Sequence, residues 1–185
     1  MKLRLKKLKQ KLEKTPIKNP LAILGAIATS LSFFFPWWQI YLPNEDGGIY
    51  AYPYTVKVEA VLPELTIQST TIRLIAFTSV LLIAIIITLY GAIKKGYKAK
   101  ILLGVAGLLE IGIGYIFRKR IYERTVEASE HGVGMFRAPF ELPASGETVV
   151  HGAKIIASFE MGLFLTFVGG IITLVSILLH DRLIN

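Results

Sequence analysis

Four apolar runs dominate this chain and leave it few ways to fold. Leu74 to Ile93 is 20 residues without a charge, Ile101 to Phe117 is 17 residues interrupted only by Glu110, and Ile155 to Leu179 is 25 residues interrupted only by Glu160. A helix rises about 1.5 Å per residue, so about 20 residues cross the ~30 Å apolar core of a bilayer. The remaining run, Leu21 to Phe35, is 15 uncharged residues continued by Pro36, Trp37, Trp38, Gln39, Ile40 and Tyr41. Alone it covers about 23 Å, and the aromatic residues after it read as an interfacial belt that completes the crossing. The expected fold is an α-helical integral membrane protein with a four-transmembrane-helix bundle over residues 21–42, 71–93, 101–128 and 155–180.

Composition agrees with a bilayer as solvent. Hydrophobic residues make up 53% of the chain and charged residues 18%, against about 45–50% and about 25% in average globular domains. The net charge of +8 would raise nucleic-acid binding in a soluble protein, but topology accounts for it better here, and no nucleic-acid partner is expected. There are no cysteines, which excludes disulfides and thiolate metal sites.

Lysine and arginine in short flanking segments stay on the cytoplasmic side. Residues 1–20 hold eight basic side chains against Glu13, a net +7, and the turn at 94–100 holds Lys94, Lys95, Lys98 and Lys100, a net +4. The segment from 43 to 70 has four acidic residues against Lys57, a net −3, and residues 118–154 have six basic against five acidic, a net +1. Both termini, including the tail at 181–185, are therefore expected in the cytoplasm of a cell-membrane protein. Arg118, Lys119 and Arg120 go against the rule, with Glu123, Glu127 and Glu130 close behind. A cleaved signal peptide is the rival reading of the N-terminus, but no small-residue cleavage site follows the first run. Leu5, Leu8 and Leu12 recur at helical spacing among lysines, which fits either a basic amphipathic helix on anionic lipid or a solvated tail.

The two outer segments carry strand signals. Gln39 to Leu42, Ile49 to Val61 and Leu65 to Thr71 are rich in Tyr, Val, Ile and Thr, with turn residues at Asn44 to Gly48. Tyr50, Tyr52 and Tyr54 alternate with Ala51, Pro53 and Thr55, which places the tyrosines on one strand face. Pro53 puts that strand at an edge or breaks it in two. Residues 101–128 read as the third span with an outward helical extension, 129–154 as the second outer loop with Phe136 and Phe140, and Thr148 to His151 as a short strand. Together the outer loops predict a small extracytoplasmic antiparallel β-layer.

This arrangement of four helices, a long strand-rich first loop, the Trp37–Trp38 pair past the first span and an outwardly extended third helix resembles the claudin and peripheral myelin protein architecture. The Gly-Leu-Trp element and cysteine pair of the claudin signature have no counterpart here. The resemblance implies lateral self-association and contacts through the outer layer, and it implies no enzymatic activity. Trp37, Trp38, Tyr50, Tyr52, Tyr54, Phe136 and Phe140 are the expected outer interaction surface.

Glu110 is the residue most in need of explanation, because a carboxylate at mid-bilayer costs about 2.5–3.5 kcal/mol or more. It must be neutral, paired or hydrated. Thr29, Ser30 and Ser32 on the first span, Thr78 and Ser79 on the second and Thr166 on the fourth are its expected hydroxyl neighbours. The alternatives are a proton or ion relay, a polar contact to a partner helix, or an internal hydrogen bond that fixes packing. Glu160 lies near the start of the fourth span, where Arg73 is a candidate partner. Gly104, Gly107, Gly112 and Gly114 on the third span and Gly162, Gly169 and Gly170 on the fourth predict close helix packing, with a quinone or lipid slot as the lesser reading. His131, His151 and His180 are too scattered for a metal site, and no nucleophile elbow, zinc-binding helix motif or phosphate loop is present. No cofactor is expected.

The expected function is therefore that of a non-enzymatic multi-pass scaffold, self-associating unit or accessory subunit, with membrane lipids and either further copies or other membrane subunits as partners. The alternative is a small subunit of a respiratory or transport complex that uses Glu110 in proton transfer or quinone binding.

Overall fold

A computed structural model describes residues 18–43, 47–59, 70–131, 143–150 and 153–184. In chain order the elements are α1 (Pro20–Leu31), a 3-10 turn (Ser32–Phe34), β1 (Trp38–Leu42), β2 (Gly47–Ala51), β3 (Val56–Glu59), α2 (Thr70–Ile93), α3 (Tyr97–His131), β4 (Gly146–Val150), β5 (Ala153–Phe159) and α4 (Met161–Ile184). The chain is mostly helical, with a small antiparallel sheet. Three helices, α2, α3 and α4, are long and apolar enough to cross a membrane, and α1 is a shorter apolar helix.

Helix boundaries follow local chemistry. Asn19 caps α1, its Oδ1 accepting from Ala22 N at 3.2 Å, and Pro20 takes the first helical position, where a missing N–H costs nothing. At the other end Pro36 forces its predecessor out of the helical region, and Phe35 is extended at φ −114°, ψ 147°. The first span drawn over 21–42 is thus corrected: the helix ends at Leu31, and Trp38–Leu42 is a strand. Gly96, at φ +85°, supplies the left-handed turn between α2 and α3. The turn is tighter than the expected 94–100, because α3 already starts at Tyr97.

The fourth span also begins later than expected. Residues 153–159 form β5 rather than the start of a helix, with Ile155 and Ala157 buried and Lys154 exposed. An apolar run does not by itself distinguish a buried strand from a helix, and β-branched Ile155 and Ile156 favour the strand. Glu160 therefore precedes α4 instead of lying within it. Its carbonyl accepts from Leu163 N at 3.1 Å and Phe164 N at 3.4 Å, and an acidic side chain there complements the helix dipole.

Contacts group the described residues into two compact units, one within Met1–Ser30, Val80–Ile111 and Thr166–Asn185, the other within Leu31–Ser79 and Gly112–Leu165. The second unit contains the sheet, whose strand order is β3-β2-β1-β5-β4 with every pair antiparallel. Its central pair, β1 and β5, comes from residues that hydropathy had assigned to spans. Trp38, Ile40, Ala51, Ile155 and Ala157 are buried on one face. On the other, Lys57, Tyr50, Gln39 and Ser158 stand in register across four strands, with Gln39 Nε2 donating to Ser158 Oγ at 3.2 Å. Behind the sheet, Trp37 and Phe77 each meet the Phe117 ring edge-on, at 5.0 and 5.9 Å between centroids.

Candidate functional site

The first unit is built inside-out. Asn19, Thr29, Thr88, Glu110, Thr166, Thr173, Ser176 and His180 are all fully buried, while Leu82, Ile86, Leu108, Ile171 and Leu178 are exposed, Leu178 by 78%. In water this distribution would waste most of the available apolar area. Beside lipid it satisfies both solvents, because side chains that need hydrogen bonds find them internally.

Glycines allow the backbones to meet. A Cβ on Gly25 would collide with Thr173 Oγ1 and stand 3.0 Å from Gly169 O; one on Gly169 would collide with Thr29 Oγ1 and stand 2.9 Å from Gly25 O. The two Gly-x-x-x-Thr segments, 25–29 of α1 and 169–173 of α4, therefore pack reciprocally and antiparallel, each glycine receiving the other helix's threonine. The next residue of α4, Gly170, does the same for α3: its Cβ would stand 3.0 Å from Gly107 O and 3.1 Å from Glu110 Cβ. Adjacent glycines of one helix thus serve two neighbours. Gly104 has room for a Cβ, in ordinary contact with Ile177, and Gly112 faces open space. Gly162 belongs to the other unit, against Pro36 O and Trp37. Gly107, Gly169 and Gly170 are consumed by internal packing.

These close approaches bring hydroxyls from three helices to Glu110. Thr88 Oγ1 lies 3.3 Å from Glu110 Oε1 and 2.9 Å from Ala84 O, within reach of both acceptors. Thr29 and Thr173 bring their hydroxyls to the same carboxyl. Neither Glu110 Oε2 nor Thr173 Oγ1 completes a well-formed hydrogen bond among the described residues.

Of the expected neighbours, Thr29 is in this cluster, and Thr166 is fully buried on α4. Ser30 bonds back to Ala26 O at 2.7 Å, Ser79 to Ile75 O at 2.9 Å, and Thr78 to Pro53 O at 2.8 Å in the other unit. Ser32 uses its carbonyl to accept from Trp37 Nε1 at 3.1 Å. Matching residues by depth along separate runs carries no information about which helix face they occupy, so Thr88 and Thr173 were missed. Helical spacing offered one signal: Thr173 follows Gly169 by four residues, as Thr29 follows Gly25.

A second buried polar group closes the Asn19 end. Asn19 Nδ2 lies 3.0 Å from Ser176 O and 3.2 Å from His180 Nδ1, and Ala92 O accepts from both Lys18 N and Asn19 N at 2.9 Å. The Asn-Pro pair signals the helix start, but not this tie among three helices.

The expected outer surface is revised. Trp37 is fully buried and Trp38 nearly so; Trp38 Nε1 donates to Ala144 O at 2.7 Å, so both tryptophans are core. Tyr50 lies in β2, but Tyr52 and Tyr54 fall in the turn beyond Ala51, where their rings stand 5.7 Å apart, and the three do not share a strand face. Lys57 Nζ sits 5.1 Å from the Tyr52 ring. Glu160 is paired through Ser158 Oγ, while the Arg73 side chain lies outside the described set. Phe136, Phe140, His151, the amphipathic stretch at 2–14 and residues 65–69 also lie outside the described residues; Thr70 and Thr71, expected as strand, begin α2. No protein-family model matches this chain, and no curated protein sequence is similar to it.

Proposed function

We propose that the chain is a four-span membrane protein without catalytic activity, both termini cytoplasmic, whose sheet lies outside and holds further copies of the chain or other membrane subunits. The observation that carries this reading is the inside-out first unit, with hydroxyls, a carboxyl and an imidazole fully buried while large aliphatic side chains such as Leu108 and Leu178 are exposed. Although α1 is short, its reciprocal glycine–threonine contact with α4 supports its crossing alongside that helix. The basic triplet after the apolar part of α3 has structural partners of its own: Lys119 and Arg120 pair with Glu123 at 3.8 and 2.9 Å, and Arg118 stacks on Tyr122 and Phe159.

Scaffolding fits the way the sheet is mounted. Glu160 N donates to Trp37 O and Gly162 N to Pro36 O, both at 3.1 Å, so within this unit the segment before β1 is tied directly to the first turn of α4. With the tryptophans buried and Gly107, Gly169 and Gly170 engaged in internal packing, the Lys57–Tyr50–Gln39–Ser158 row is the face of the described sheet that could meet a partner, in line with the association that the claudin resemblance implies. Native mass measured after mild detergent extraction tests this. A homo-oligomer or retained subunits support it; a bare monomer contradicts it, and a monomer carrying quinone favours the respiratory alternative.

A further inference from the structure

We propose that Glu110, Thr29, Thr88 and Thr173 form a binding site for a single sodium ion inside the helical unit. The donor set comes first. Four helices each contribute one oxygen-bearing side chain to one point, Glu110 from α3 and the threonines from α1, α2 and α4, and oxygen-only sets select hard cations. Glu110 is fully buried, as are all three threonines.

The charge comes next. Residues 20–31, 74–93 and 161–179 contain no charged side chain, so these stretches of the neighbouring helices supply no counter-charge. A carboxyl that stays ionised in such surroundings needs one compensating positive charge. One negative charge suits a monovalent ion and is too little for calcium, whose sites gather several carboxylates.

Geometry then suits such an ion. With its hydrogen on Ala84 O at 2.9 Å, Thr88 can turn a lone pair towards an ion held by Glu110. Thr88 Oγ1 and Glu110 Oε1 stand 3.3 Å apart, the distance between two ligands at right angles on one ion with bonds of about 2.3–2.4 Å, at the short end of the range for the similarly sized calcium ion. Glu110 Oε2 and Thr173 Oγ1, which complete no well-formed hydrogen bond among the described residues, are the further oxygens such an ion would engage.

The test is thermal unfolding of the full chain in detergent at one pH and ionic strength, with sodium, potassium or choline chloride. Sodium should raise the melting temperature by about 5–10 °C at a hundredfold excess over Kd, saturably, with choline inert and potassium weaker. Glu110→Gln should abolish the response, and Thr88→Val should weaken apparent affinity about tenfold or more. Equal melting of the unaltered chain in sodium and choline would overturn the proposal whether or not the variants fold, as would a sodium response that survives in Glu110→Gln.

Discussion

Gly169 of α4 lies so close to Thr29 of α1 that a Cβ on the glycine would occupy the threonine's hydroxyl position. Between helices that share an apolar solvent, contact of this kind replaces the hydrophobic drive available in water. Because Gly25 and Thr173 repeat the arrangement in the opposite sense, the register between α1 and α4 is set twice.

Gly169→Ala should therefore destabilise the chain by about 1–3 kcal/mol, the usual cost of overpacking. Adding Thr29→Ala should recover only part of that, because Gly25 O and Thr29 N remain 2.9 and 3.0 Å from the new Cβ. Gly112→Ala, facing open space, should be neutral or slightly stabilising through its helix propensity. Melting temperatures of the four proteins in one detergent check the order.

Phe117 joins Trp37 and Phe77 in the core of the sheet-bearing unit. Phe117→Ala should cost about 3–5 kcal/mol and weaken the near-ultraviolet circular dichroism of the buried tryptophan. An unchanged spectrum with unchanged stability would contradict the assignment of Trp37 to a packed core.

Much of this fold was legible in patterns with a single physical meaning. Twenty uncharged residues ending at Ile93 have few stable forms other than a helix in lipid, and α2 ends there. The period-two pattern at 49–59 reads as strand, and Pro53, which has no N–H for a ladder, falls in the turn between β2 and β3. Less legible were β1 and β5, because an apolar run fits a buried strand as well as a helix, and interfacial tryptophans look the same in sequence as core ones. The Glu110 cluster was half legible. A buried carboxyl needs hydroxyls nearby, but which ones depends on helix rotation, and that is set by Gly25, Gly107, Gly169 and Gly170 acting together.

Glu110→Gln keeps size and hydrogen-bonding capacity, so measured without sodium it should match the unaltered chain in stability. Glu110→Leu should lose about 0.6–2 kcal/mol with its buried polar contacts. Denaturation of both variants in sodium-free buffer checks this. Equal loss in both would mean that the negative charge itself, rather than packing and hydrogen bonding, holds the cluster together.

The proposed topology puts Lys57 and Lys95 on opposite sides of one membrane. A membrane-impermeant amine reagent applied to intact cells, with modified lysines located by mass spectrometry, tests it most directly. Lys57 and Lys95 are both exposed on the protein, so only the bilayer can separate them. The account expects Lys57 labelled and Lys95 protected until the cells are opened. Labelling of Lys95 with Lys57 protected would reverse the orientation, and equal labelling of both on sealed cells would contradict the membrane-spanning account itself.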